Sequence, residues 1–404
     1  MNEDMMLVSI PEKEYSDYRY EVIFKAYKWD PQVGDNNTIA RHAILIKQET
    51  ANLLGRLAEQ LSQETMLMEE ALINRTDCAK ELGLPPKIMK AMPLLSGYRR
   101  DRNVRLMRFD FHYTKTGWMI SEVNSDVPGG LAEASVLPGI ACRYIAGGMP
   151  GKNTADVMIE AFKAKAVTQG RIAFVHATSY ADDRQVMQFL GDCFDANGFS
   201  SVYAAPDQIT WNNCEAVCIV EGQEGKVDAI MRFFPLEWLA NLPRNVKWQR
   251  YFDSEVLCCN HPAAMLTQSK RLPLVWDKLG IDLPAWKSLL PETVDPKAVR
   301  RELDGWIYKP ALGRVGGGIS IKGAITEKER KAIEKSARRF PNDWVAQRMF
   351  QSIPVHAPDS NNGYHICIGV FTVDGKSAGF YARMSELARI DENAQDVPVL
   401  IVKE

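Results

Sequence analysis

Between about Thr38 and Leu82 apolar residues recur at helical spacing (Ile44, Leu45, Leu53, Leu54, Leu57, Leu61) with few breakers, so the N-terminal region reads as long amphipathic helices. From Val104 the period changes to two. Met107, Phe109, Phe111 and Tyr113 alternate with Arg108, Asp110 and His112, the mark of a half-buried strand. After Lys115-Thr116-Gly117 a second strand runs from Trp118 to Asn124. Strands at Arg171–Val175, Ser200–Ala204 and Val227–Phe234, with a helix over Asp182–Phe194, predict a small doubly wound α/β unit between Pro150 and Asp253. The last third predicts a helix around Met265–Leu279, a strand Gly305–Lys309, a glycine-rich loop opening another strand, a charged helix Thr326–Phe340 and a strand Trp344–Arg348. An Asp-Gly pair at Asp374-Gly375 predicts a hairpin joining Cys367–Thr372 to Ser377–Arg383.

Composition narrows the class. The 404 residues are 46% hydrophobic and 25% charged, which describes an ordinary globular chain of two or three domains and excludes disordered and fibrous classes. Forty-nine Lys plus Arg against 51 Asp plus Glu leave a formal charge of -2, so neither nucleic acid nor an anionic membrane is an expected partner. No basic segment followed by an apolar stretch opens the sequence and no 18 apolar residues run together, so a cytoplasmic protein is expected. The eight cysteines and six histidines show no zinc-type spacing, which predicts reduced, mostly buried thiols and no dedicated Cys/His metal site.

The first hairpin carries candidate chemistry. A three-residue loop at Lys115-Thr116-Gly117 would set Thr114 opposite Trp118, His112 opposite Ile120, Asp110 opposite Glu122 and Arg108 opposite Asn124, all on one face. Facing carboxylates repel, so Asp110 and Glu122 ask for a cation between them. Magnesium fits, with Asn124 adding a neutral oxygen and Arg108 beside the group able to hold a phosphate or an oxyanion. A solvated polar face, or a four-residue loop that separates the two acids, would remove the argument.

In Ile307-Tyr308-Lys309-Pro310-Ala311-Leu312-Gly313-Arg314-Val315-Gly316-Gly317-Gly318-Ile319-Ser320-Ile321 a lysine at a strand end precedes four glycines. Such a loop can bend its amides onto phosphate oxygens, and it is not a Walker loop, since no Gly-Lys-Ser/Thr follows. A glycine-rich hairpin turn is the plainer alternative. Lys270, in Ser269-Lys270-Arg271 at an expected helix start, is by itself a surface lysine.

Taken in order, Asp110, Glu122-Val123-Asn124, Lys270, Lys309 with its glycine loop, Trp344-Val345-Ala346-Gln347-Arg348 and Gly379-Phe380-Tyr381-Ala382-Arg383 resemble the synthetase domain of the glutathionylspermidine synthases, an ATP-grasp ligase family. The segment Ala229–Trp238, ending in Pro-x-Glu-Trp, and the stretch Ala394–Leu400 are similar to the family as well, so the resemblance spans about residues 95–404. The carboxylates precede the lysines, as in the circularly permuted branch of these ligases. The resemblance implies a mixed α/β (α+β) ATP-grasp fold in permuted order with a small Rossmann-like pre-ATP-grasp domain. Residues 1–149 would hold a helical region and the metal-binding half, 150–255 the Rossmann-like substrate domain, and 256–404 the nucleotide-binding half with its flap. It further implies that Asp110, Glu122 and Asn124 hold magnesium, that Lys270 and Lys309 contact ATP phosphates, and that Gly316, Gly317 and Gly318 form the flap. The backbone around Gln347, Arg348 and Met349 would meet adenine, and Arg108 and Arg383 would stabilise the transferred phosphate and the tetrahedral intermediate.

Two departures bear on substrates. Ser125-Asp126-Val127-Pro128-Gly129-Gly130 replaces the family's turn that helps bind the thiol peptide, and the cysteine–histidine amidase domain that precedes the synthetase region in some members, with its hydrolase activity, is not expected here. The implied activity is amide formation between a small-molecule or peptide carboxylate and an amine through an acyl phosphate. Asp182 and Asp183 are candidates for a polyamine-like amine, or simply the acidic first turn of a helix. The alternatives are a nucleotide-binding regulatory module without catalysis and a small-molecule kinase on the same fold.

Overall fold

The computed structural model describes residues 5–165, 167, 169–243, 245–299, 305–314, 317–321, 323–359 and 362–402. Its centre is an antiparallel sheet with strands in the order Gln395–Val397, Lys376–Ser385, Gly363–Val373, Leu106–Thr114 and Gly117–Asn124, with Val355–His356 pairing beside Gly363–Val373. One face of this sheet is apolar: Phe109, Phe111, Ile366, Ile368 and Val370 pack in one core with Leu54, Leu61 and Met68. Those three come from the helix Gln48–Ile73, whose buried positions Leu54, Ala58, Leu61, Thr65, Met68 and Leu72 fall at spacings of three and four and so line one stripe. The polar residues between the phenylalanines are thereby turned to the opposite face.

Ile44 and Leu45 do not belong to that helix. They lie on the strand His42–Ile46, all five residues of which are buried, between Met5–Ser9 and Val399–Val402 in a four-stranded sheet that Gly148–Pro150 completes. A fully buried strand shows no period-two alternation, which is why its apolar run read as helix.

The middle segment holds the expected parallel sheet, in the order Leu257–Cys259, Ala229–Phe233, Arg171–His176 and Ser200–Ala204. The helix Ala181–Asp195 and the helix Thr154–Ala164 pack their Phe194 and Phe162 edge to face at 5.1 Å, and Phe194 meets Phe174 of the sheet at 5.6 Å.

In the last third the expected helix Met265–Leu279 ends after one turn, Met265–Gln268; Ser269 is extended (ψ 128°), and the chain continues in short 3-10 turns around Pro273. A proline inside a helix clashes with the carbonyl four residues before it and has no amide to bond it, so Pro273 accounts for the break at Ser269. Ile319-Ser320-Ile321 is not a strand either. Ser320 instead folds back on Tyr308, its N–H reaching the carbonyl at 3.2 Å while its Oγ accepts from the Tyr308 N–H at 2.7 Å. The helix Glu327–Arg339 starts at Thr326, whose hydroxyl accepts from the Glu329 N–H. The hairpin turns at Asp374 (φ 48°) and Gly375 (φ 81°), pairing Val373 with Lys376 as the Asp-Gly signal requires. None of the eight cysteines is in a disulfide, and Cys78, Cys218, Cys258, Cys259 and Cys367 are buried. Among the described residues no helix is long and apolar enough to cross a membrane.

Candidate active site

The polar face of the central sheet floors a cavity of about 790 Å³. Its register decides the chemistry. Asp110 pairs with Glu122 and Arg108 with Asn124, as expected, but by a different route. The turn is one residue tighter than predicted, pairing Thr114 with Gly117 and His112 with Met119, and a bulge between Asp110 and Phe111 takes up the difference at Ser121. A bulge re-aims side chains; Ser121 and Glu122 both face the cavity.

The two carboxylates are balanced by the protein's own cations. Asp110 accepts both Arg108 Nε (2.7 Å) and Nη2 (2.9 Å), and also Asn124 Nδ2 at 3.1 Å. Lys270 Nζ lies 2.9 Å from Glu122 and donates to the Gly313 carbonyl at 2.6 Å, so it joins the hairpin to the glycine-rich loop. Lys309, at the end of the strand Trp306–Pro310, donates to the Ser121 carbonyl at 3.0 Å. Burial alone would raise the Glu122 pKa, yet Lys270 and Lys309 outweigh it and hold the carboxyl well below its ordinary value. Lys309 moves the other way: burial, reinforced by the like charge of Lys270 and only partly opposed by Glu122, pushes it down to about 8. His112, buried beside the group and 3.1 Å from Ser121 Oγ, is pushed down to about 4, chiefly by burial, and is neutral at physiological pH.

A buried polar frame sets these positions. Gln268 Oε1 accepts from the Ser125 and Asp126 N–H groups at 2.7 and 2.8 Å, tying the segment that carries Lys270 to the turn after Asn124. Beneath the turn, Arg105 (2% exposed) pairs with Glu69 (1%) at 2.8 Å and donates to the Ser125 carbonyl at 2.6 Å. Asp126 is in turn ion-paired with the buried Arg232 and accepts from the Leu236 N–H at 3.0 Å. None of this frame carries a local sequence signal, because its partners lie 20 to 143 residues apart.

The other expected site residues divide. Arg383 lines the cavity, on the strand position opposite Cys367. Met349 lines it as well, followed by Phe350, Gln351 and Ser352. The side chains of Gln347 and Arg348 do not: Gln347 is buried against Thr293 (3.0 Å), and Arg348 stacks on Trp306 (4.2 Å) and pairs with Glu292. Both residues lie on the strand Trp344–Arg348, which is paired on both edges, so what this segment can offer the cavity comes after it, from Met349 onward. Gly317 and Gly318 sit between Arg314 and Ile319, which do line the cavity, and Gly318 (φ 70°) needs glycine for its turn; Gly316 lies outside the described residues. Arg314 reaches from this loop to Glu237 at 3.0 Å and Asp126 at 3.3 Å.

Tyr381, Ser352, His365 and Arg389 also line the cavity and were not anticipated. The Arg108 guanidinium stands 5.0 Å from the centre of the Tyr381 ring, and Ser352 Oγ is 2.7 Å from His365 Nδ1. Period-two counting from Arg383 would have reached Tyr381, and from Cys367 would have reached His365.

Among the described residues no group of three or more His, Cys, Asp or Glu side chains could hold a metal ion. The candidate donors are instead two carboxylates and a carboxamide, Asp110, Glu122 and Asn124, around one cavity. That all-oxygen set fits magnesium, which binds one or two carboxylates and keeps water and phosphate ligands.

The family model for "Glutathionylspermidine synthase preATP-grasp" matches residues 10–402. A Haemophilus influenzae protein named "Putative acid–amine ligase" is 24% identical over 301 residues, covering 72% of this chain and 73% of its own. A "glutathione synthetase like-effector" from Globodera pallida, solved in its apo form, superposes with a TM-score of 0.67 at 10% identity, covering 97% of this chain and 98% of the other. The fold is therefore the mixed α/β, ATP-grasp-like fold of the glutathione synthetases, and the carboxylates do precede the lysines in the chain.

Proposed function

The chain belongs to the glutathionylspermidine synthase preATP-grasp family, and from that premise we propose that it is an ADP-forming, ATP-dependent carboxylate–amine ligase. The observation that carries this reading is the convergence of Asp110, Glu122 and Lys309 on one cavity, with Lys270 held behind its lining on Glu122 at 2.9 Å, although the carboxylates and lysines lie about 150 to 200 residues apart in sequence. A substrate carboxylate takes the γ-phosphoryl group of ATP, giving an acyl phosphate and ADP, and an amine then displaces phosphate to leave an amide. Phosphoryl transfer of this kind needs positioning and charge neutralisation, with no covalent nucleophile on the protein. Lys270 and Lys309 contact the phosphates. Arg108 and Arg383 stabilise the charge that develops at the transferred group and on the tetrahedral intermediate. Magnesium, when held by Asp110, Glu122 and Asn124, supplies further neutralisation of the triphosphate. The backbone from Gln347 to Met349 meets the adenine, and the loop that carries Gly317 and Gly318 covers the phosphates and keeps water from the acyl phosphate.

Asp183, which lines the cavity and is pushed up to about 6 by burial and by Asp182, is suited to the amine end of the site. A polyamine-like amine would find in it a partly buried carboxylate, and the first helical turn that carries it offers Asp182 beside it. The division into residues 1–149, 150–255 and 256–404 and a cytoplasmic location are part of the same proposal.

Phosphate release that requires both an acid and an amine tests the function, with the Lys309→Ala protein as control. Release with the acid alone, or phosphate retained on the product, would contradict it. Two further results are expected. Nucleotide affinity should fall as pH rises from about 8 toward 10, by up to about tenfold per unit, because a bound phosphate needs the protonated Lys309. Calorimetric titration with MgATP reads this, and Lys309→Ala should flatten the profile.

Gly369 faces Asp110 across the sheet, and a Cβ there would lie 2.7 Å from Arg108 Cδ. Gly369→Ala should therefore displace Arg108 and lower kcat by about 10²-fold, since small misplacements near the chemistry are that costly. An unchanged kcat in the folded variant would remove Arg108 from its role.

A further inference from the structure

Lys28 follows the N-terminal helix Glu12–Lys25 and does not line the cavity, yet it is only 16% exposed and meets two buried carboxylates. Its Nζ lies 2.7 Å from Asp396 and 3.0 Å from Glu133. Burial works against its charge, but Asp396 and Glu133 outweigh that and hold its pKa well above the ordinary lysine value. The segment around it is fixed at both sides. The Trp29 N–H donates to Gln185 Oε1 at 3.0 Å, and the Tyr27 hydroxyl donates to Asp192.

Each carboxylate leads to Arg108. Asp396 accepts the Tyr381 hydroxyl at 2.7 Å, and the ring of that tyrosine lies 5.0 Å from the Arg108 guanidinium. Glu133 sits in the first turn of the helix Leu131–Ala141, which Gly130 joins to Gly129, whose carbonyl accepts Arg108 Nη1 at 2.6 Å. The two routes touch: a Cβ on Gly130 would lie 2.8 Å from the Tyr381 ring, so ring and turn are already in contact.

We propose that Lys28 is a positioning residue for Arg108: one ammonium locks the Asp396–Tyr381 arm to the Glu133–Gly129 arm, and the guanidinium is held between them on Asp110. This rests on the reading of Arg108 as the group that meets developing charge in the ligase reaction. Without Lys28 two buried carboxylates face each other, and the arms separate by like-charge repulsion. Arg108 then loses its fixed plane while the lysines and carboxylates that meet the nucleotide stay where they are.

The test uses the full chain with Lys28→Met, Lys28→Arg and Tyr381→Phe. In crystals of Lys28→Met, Arg108 should leave its two-point contact with Asp110, and Lys28→Arg should restore it. In turnover, Lys28→Met should lower kcat by about 10²-fold with the KM for MgATP nearly unchanged, since the loss is confined to the transition state. A general structural role would instead lower the melting temperature and leave kcat of the folded fraction intact. Should Lys28→Met not fold, Tyr381→Phe removes only the hydroxyl contact with Asp396, and the same split between kcat and KM is expected. Arg108 in its wild-type place in these variants, or an unchanged kcat, overturns the proposal. If the wild-type protein releases no phosphate with any acid and amine, the ligase reading fails on its own, and the position of Arg108 still decides this one.

Discussion

Replacing Lys309 with alanine should lower ATP-dependent phosphate release by about 10³-fold, the upper range for removing one preorganised charge from a transition state, while leaving the protein folded. The two halves of that expectation have one cause. Burial and the neighbouring Lys270 together exceed the attraction of Glu122, so the Lys309 ammonium is destabilised where it stands, as its lowered pKa records. Removing it therefore relieves a desolvated charge, and Glu122 keeps Lys270 at 2.9 Å as its partner. A cation kept where folding does not favour it is suited to an anion that arrives later. Activity assays beside a denaturant titration check both halves; loss of activity only in step with loss of folded protein would refute the assignment.

Arg232→Met should do the opposite and unfold the protein more readily, by about 3–5 kcal/mol, the range for breaking one side of a buried ion pair. Arg232 is 2% exposed and Asp126 fully buried. The guanidinium also donates to the Phe234 carbonyl, at 2.6 Å, and to that of Asn260 at 3.2 Å, so its removal strands a carboxylate and two carbonyls together. Arg314 at 3.3 Å offsets part of the loss. The denaturation midpoint reads the effect, and pairing the change with Asp126→Leu should recover the part due to the stranded carboxylate, because that double variant leaves no unpaired buried charge at the pair. A midpoint unchanged by the single substitution would show that the pair does not hold the middle sheet to the turn after Asn124.

The contrast between these two cations also separates what could be read in the sequence from what could not. Asp110, Glu122 and Lys309 lie at strand positions whose facing follows from a period of two, and a hairpin turning at Lys115-Thr116-Gly117 pairs the acids even with a loop one residue longer than the real one. The tighter turn at Thr114–Gly117 and the bulge at Ser121 compensate, and a bulge has no sequence signature when the inserted residue is an ordinary serine. Asp374-Gly375 was legible for the opposite reason: two consecutive left-handed residues demand that pair. Lys270 was assigned to a helix start that Pro273 breaks, and it reaches Glu122 through contacts of Gln268 with Ser125 and Asp126 that only the tertiary fold creates. Ile44 and Leu45 were misread because burial on both faces erases periodicity. Glu69, Arg105, Asp126 and Arg232 were invisible as a set, since charged residues far apart in sequence give no sign that they will be buried together.

In the proposed ligase two acids and two lysines surround a magnesium ion and a triphosphate. A crystal structure with magnesium and a non-hydrolysable ATP analogue tests it most directly. The expected result is a metal ion ligated by Asp110 and Glu122, with the terminal phosphates within hydrogen-bonding distance of Lys270 and Lys309. Nucleotide bound outside the cavity, or triphosphate there without metal on either carboxylate, would contradict it.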